Sequence, residues 1–109
     1  MFSNPSGALV KYRVKLTGRA ARDLQDLYDS ISAQTSQNAF VWFNALVEVI
    51  YSLDRFPERG AVPPESKYDR QLFFGRKPPI YRIVYEFDKR RRIVNVLHIR
   101  HGARDFEEK

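Results

Sequence analysis

The chain has 109 residues, enough for one domain whose core buries roughly two-thirds of its unfolded surface. It has no cysteine and only two histidines, which excludes a disulfide framework and a thiolate zinc site and leaves a poor basis for any metal site. Lys and Arg number 19 against 13 Asp and Glu, a net charge of +6 that favours polyanionic partners: nucleic acid, the ribosome or an acidic protein.

The opening MFSNPSGA has turn residues and no periodicity, so residues 1–8 read as a flexible arm of a single 1–109 domain. It lacks a basic segment followed by an apolar run, and no apolar run approaches the ~20 residues of a membrane span. The expectation is a cytoplasmic protein with no membrane partner.

Leu9 to Leu16 alternates strictly, with Val10, Tyr12, Val14 and Leu16 on one face and Lys11, Arg13 and Lys15 on the other, which predicts a half-buried strand. Thr17 is placed to cap a helix from Arg19 to about Gln34, with Ala20, Leu24, Leu27, Tyr28 and Ile31 as its apolar stripe. Asp23, Asp26 and Asp29 fall on the other side and read as a solvated face. After the break Thr35–Asn38, a second helix runs from Ala39 to about Phe56. It is apolar around most of its circumference, so it is covered on more than one side, and Trp42 or Val41 is available to a partner.

Asp54 to Pro64 (DRFPERGAVPP) is turn chemistry, Gln71 to Phe74 a short strand, and Gly75 to Pro79 (GRKPP) a rigid loop carrying Arg76 and Lys77. Two strands follow around the charged loop Asp88–Arg92. The first puts Tyr81, Ile83, Tyr85 and Phe87 opposite Arg82, Val84 and Glu86; the second, Ile93 to His101, alternates less cleanly. If the loop sets Phe87 against Ile93, Arg82 faces His98, with Arg100 one diagonal step away. The order strand, helix, helix, three strands predicts a two-layer α+β domain, β-α-α-β-β-β, with an N-terminal strand, a helical hairpin and a three-stranded antiparallel meander in one sheet.

With helices covering Tyr12, Val14, Ile83, Tyr85 and Leu97, the open face presents Lys11, Arg13, Lys15, Arg82, His98 and Arg100, with Arg76 and Lys77 at its rim. This is a surface for phosphate or another polyanionic target, and Tyr68, Phe73 and Phe74 offer stacking area. Metal-free RNA cleavage needs a base, an acid and cations for the phosphorane charge. His98 or His101 can serve as acid or base, and Arg82, Arg100 and Arg104 can stabilise charge.

The segments KYRVKLTGRAARDLQDLYDSI, LDRFPERG, RQL, YRIVYEF and VNVLHIRHGARD, in this order and spacing, resemble the RelE/ParE superfamily of toxins from bacterial type II toxin–antitoxin systems. The resemblance implies a growth-inhibiting toxin of the kind that serves plasmid stabilisation, needing no cofactor or metal and neutralised by a cognate antitoxin in a hetero-oligomer. RelE-like members cut messenger RNA on the ribosome, and Arg82, His98, His101 and Arg104 are then the catalytic candidates. ParE-like members inhibit DNA gyrase. The chain has Phe106 where many nucleases carry a C-terminal Tyr, and its LDRFPERG segment and long helical hairpin look more like the ParE side. Gyrase inhibition is therefore the leading expectation, with ribosome-dependent mRNA cleavage the alternative.

Overall fold

The computed structural model describes residues 11–63, 68–75 and 80–101. Strand β1 spans Arg13–Leu16, helix α1 Gly18–Ser30 and helix α2 Gln37–Tyr51. Strands β2 (Arg70–Phe74), β3 (Tyr81–Asp88) and β4 (Ile93–His101) complete one four-stranded sheet in the order β1-β4-β3-β2. β2, β3 and β4 form an antiparallel meander, and β1 pairs parallel with β4. The α+β expectation holds. The first strand is shorter than expected, and Leu9 and Val10 lie outside the described residues.

Both helices end sooner than their apolar patterns predict. Thr17 Oγ1 accepts the Ala20 N–H and starts α1 one residue earlier than expected, at Gly18. Ser32 then turns the chain with φ 61° before Ser36 caps α2, accepting the Ala39 N–H. The second helix tightens into a 3-10 turn at Ser52–Asp54, followed by another at Pro57–Arg59. No helix among the described residues is long and apolar enough to cross a membrane.

The helices cover one face of the sheet. Ala20, Leu24 and Leu27 from α1, Leu46 and Ile50 from α2, and Leu53 meet Ile83, Tyr85, Val94, Val96 and Ile99. Tyr85 is fully buried, and its hydroxyl donates to the Pro57 carbonyl (2.6 Å) and accepts the Gly60 N–H (3.0 Å). Arg70 Nη1 donates to the Glu58 and Gly60 carbonyls at 2.8 and 2.9 Å. The PERG turn is thereby tied to β2 and β3 from below and from the side.

The hairpin register differs from the expected one. Asp88 pairs with Ile93 and Phe87 with Val94, and a β-bulge then adds a residue to β4. Beyond it His98 pairs with Val84, Ile99 with Ile83 and Arg100 with Arg82. The bulge resolves the poor alternation of IVNVLHIRH: Val94 and Val96 point to the core before it, Ile99 after it, and no single phase buries all three. Leu97, expected among the helix-covered residues, is the extra residue and stands outside the core.

Candidate functional site: the cationic end of the open sheet face

The face of the sheet turned away from the helices is built by alternation from Arg13 and Lys15 on β1, Asn95, His98 and Arg100 on β4, Arg82, Val84 and Glu86 on β3, and Gln71 and Phe73 on β2. It is not uniformly cationic. Glu86 accepts a long hydrogen bond from Asn95 Nδ2 (3.5 Å), and Lys15 pairs with Asn95. This polar pair divides the face into two groups. Arg13 and Lys15 are exposed at one side, as is Lys11 just before β1. Arg82, Arg100 and His98 gather at the end where β3 begins and β4 finishes.

That second group is the candidate site. Arg82 and Arg100 occupy directly paired positions, where like charges lie about 5 Å apart at Cβ and attract an anion between them. Gln71 Oε1 accepts from Arg82 Nη1 at 2.8 Å and holds the guanidinium against the sheet. Phe73, 54% exposed, pairs with Arg82 and sets an apolar ring beside the charges. Tyr68 is also exposed. Phe74 offers no stacking surface there: it points to the helix side, its ring 5.4 Å from Trp42, which also meets Tyr81 at 5.6 Å. Trp42 is thus part of the packing, whereas Val41 is exposed on α2.

The bulge and helix α1 together place His98. β1 stops at Leu16, so the second half of β4 would have a bare edge, and α1 supplies what a strand would have supplied. The Thr17 N–H donates to the Val96 carbonyl (3.0 Å), Thr17 Oγ1 donates to the bulged Leu97 carbonyl (2.8 Å), and Asp23 Oδ2 accepts the Ile99 N–H (2.9 Å). Asp23 is therefore a structural acceptor rather than part of a solvated face. Its spacing along the sequence matches its neighbours Asp26 and Asp29, so only the strand edge beside it reveals the difference.

His98 is half-buried, and Nδ1 is buried without a hydrogen-bond partner. Burial is the main cause that holds its pKa below 6.5; the Arg19, Arg100 and Arg82 charges add to this, and Asp23 opposes them. The imidazole is thus mainly neutral at neutral pH. His101 lies on the helix side, paired with Tyr81 and with ring centroids 5.1 Å apart. The three RNA-cleavage candidates among the described residues, Arg82, His98 and His101, therefore do not share one face. Arg82 and His98 share the open face, His101 is on the opposite one, and Arg104 lies outside the described residues, as do Arg76 and Lys77. Among the described residues no group of three or more His, Cys, Asp or Glu is placed to hold a metal ion.

Such a site can bind an anionic group with two guanidiniums beside an exposed phenyl ring. For acid–base chemistry it offers one mainly neutral imidazole, with Asp23 as the nearby carboxylate, already accepting the Ile99 N–H.

Comparison with known proteins gives a consistent family. The family model for the ParE toxin of type II toxin–antitoxin systems matches residues 14–106. Among solved structures, the RelBE2 toxin–antitoxin complex of Mycobacterium tuberculosis is 27% identical over 84% of this chain and 92% of that one, with a TM-score of 0.58. The chromosomal ParDE system of P. aeruginosa shares the fold, with 24% identity over 84% of this chain and 96% of that one and a TM-score of 0.67. The archaeal RelE–RelB complex of Pyrococcus horikoshii OT3 shares it at 17% identity over 86% and 98%, with a TM-score of 0.51. Comparison with curated proteins gives no match.

Proposed function

The chain belongs to the ParE toxin family of type II toxin–antitoxin systems, and from that premise we propose that it stops growth by binding and inhibiting DNA gyrase. The observation that carries the proposal is the separation of the two histidines onto opposite faces of the sheet. Metal-free cleavage of RNA needs a base at the 2′-hydroxyl and an acid at the leaving oxygen, both within hydrogen-bond reach of one phosphate. A half-buried neutral His98 beside arginines supplies at most one of these. An inhibitor that works by binding needs surface only. The exposed Val41 and Tyr51 of α2 supply apolar contact area, and Arg13, Lys15 and Arg100 of the open face supply charged contact area.

A cognate antitoxin is the partner in this reading. The neighbouring RelBE2 and ParDE structures are toxin–antitoxin systems. Against a chain of net charge +6, an acidic antitoxin segment gains both encounter rate and register.

The second reading, ribosome-dependent mRNA cleavage, is favoured by one observation: Arg82, Arg100, His98 and Phe73 share one end of the open face. The two are separated by running supercoiling and cell-free translation in parallel with antitoxin-free protein. Blocked supercoiling or trapped cleaved DNA, with intact message, supports gyrase inhibition. New message ends inside codons, formed only with ribosomes present, refute it.

A further inference from the structure

Phe56 has a backbone that its own side chain opposes. It sits at φ 53° and ψ 58°, in the left-handed region, immediately before Pro57. A residue with Cβ resists this conformation, and a following proline restricts it further; glycine or asparagine would occupy it more readily. The phenyl ring gains little from the core in return, being 64% exposed.

The conformation is nevertheless fixed from both sides. Leu53 and Pro57 are fully buried. The Asp54 carbonyl accepts the Tyr12 N–H at 2.8 Å, and the Pro57 carbonyl accepts the Tyr85 hydroxyl. The Phe56 carbonyl accepts the Arg59 N–H at 3.1 Å, while the Arg59 guanidinium donates to Ser52 Oγ and, at 3.4 Å, to the Arg55 carbonyl. An exposed aromatic ring is thus held at the tip of a rigid turn, and ordering it on binding costs little. Backbone strain that the surroundings hold in place, and that burial of the ring does not offset, points to a role in binding.

We infer that Phe56 is an anchor for the antitoxin, entering an apolar notch in a segment that also brings a carboxylate to Arg55. The inference rests on the antitoxin reading above and names one contact within it. Arg55, Glu58 and Arg59 are all exposed around the ring. Arg59 is committed to the turn, so Arg55 is the cation offered outward, on a chain whose overall charge already draws an acidic partner.

The test uses the chain co-purified with the antitoxin encoded beside it. Affinities of wild type, Phe56→Leu, Phe56→Gly and Arg55→Glu are measured by calorimetry, with thermal unfolding and growth inhibition of each toxin in parallel. Phe56→Gly should unfold at or above the wild-type temperature yet bind the antitoxin about tenfold or more weakly. Phe56→Leu should keep most of the affinity, and Arg55→Glu should lose it. Affinity within about twofold of wild type in Phe56→Gly or Arg55→Glu overturns the proposal, on the scale of ordinary non-anchor contacts. A lower unfolding temperature for Phe56→Gly overturns it too, by making Phe56 structural. Loss of growth inhibition with antitoxin affinity intact would assign the ring to the target instead. Failure of the wild-type chain to bind would remove the antitoxin reading itself.

Discussion

Replacing Tyr85 with phenylalanine removes one oxygen atom and orphans two buried backbone groups. The ring still fits, because the side chain is fully buried and the substitution adds no volume. What goes is the 2.6 Å bond to the Pro57 carbonyl and the 3.0 Å bond from the Gly60 N–H. A buried group left unsatisfied costs about 1–3 kcal/mol, so two such losses give about 3 kcal/mol. At this chain length that lowers the thermal midpoint by roughly 10–20 °C. Urea unfolding followed by far-UV circular dichroism reads the same quantity as a shift of midpoint at constant slope. The pH dependence supplies an independent check. Burial holds the Tyr85 hydroxyl above its ordinary value of 10.0, so the folded state favours the protonated form. The stability this contributes is complete below pH 10 and is lost as pH rises through the folded-state value. Wild type should weaken on that alkaline limb, and Tyr85→Phe should lack this component. A loss below about 0.5 kcal/mol in the variant would refute the account of the turn as clamped by this hydroxyl.

Gly60→Ala should destabilise by about 1–3 kcal/mol in the same urea assay, because a Cβ there meets the Tyr85 hydroxyl and stands 2.9 Å from the Gln71 carbonyl oxygen. Asp23→Ala leaves the Ile99 N–H without its acceptor and should cost about 1–2 kcal/mol; native-state hydrogen exchange should show that amide opening faster. His98 favours its neutral form when folded, so the stability it contributes is present above pH 6.5 and lost as pH falls through its lower folded value. Thermal unfolding at about pH 7.5 and 5.5 should show a smaller drop in His98→Gln than in wild type. Arg82→Ala should leave growth inhibition intact if gyrase is the target, and a plating assay that finds toxicity abolished in soluble protein would reverse that assignment.

The fold class was legible because β1, β3 and the two helices each repeat an apolar period long enough to name the element and its buried side. The strand order was not, since parallel pairing of β1 with β4 leaves no trace in either segment alone. The register of the last hairpin failed for a specific reason. A bulge shifts the pairing by one residue, and the only hint was that Val94, Val96 and Ile99 are all apolar but do not share one parity. That same shift decides the candidate site. It sets Arg100, rather than His98, opposite Arg82, while His101 keeps to the helix side. Phe56 was invisible for the opposite reason: its sequence context is ordinary turn chemistry, and only the backbone angle makes it unusual.

The pairing of β1 with β4 joins residues some 80 positions apart, as the Thr17–Leu97 hydrogen bond records. During synthesis the N-terminal strand and both helices leave the ribosome long before their partner strand exists. Until then α1 and α2 have no sheet to cover, and Leu24, Leu27, Leu46 and Ile50 stay without their main contacts. Arg100 and His98 arrive with the same last strand. The nascent chain therefore has neither a finished core nor an assembled cationic end before β4 emerges, and truncation before β4 leaves both out.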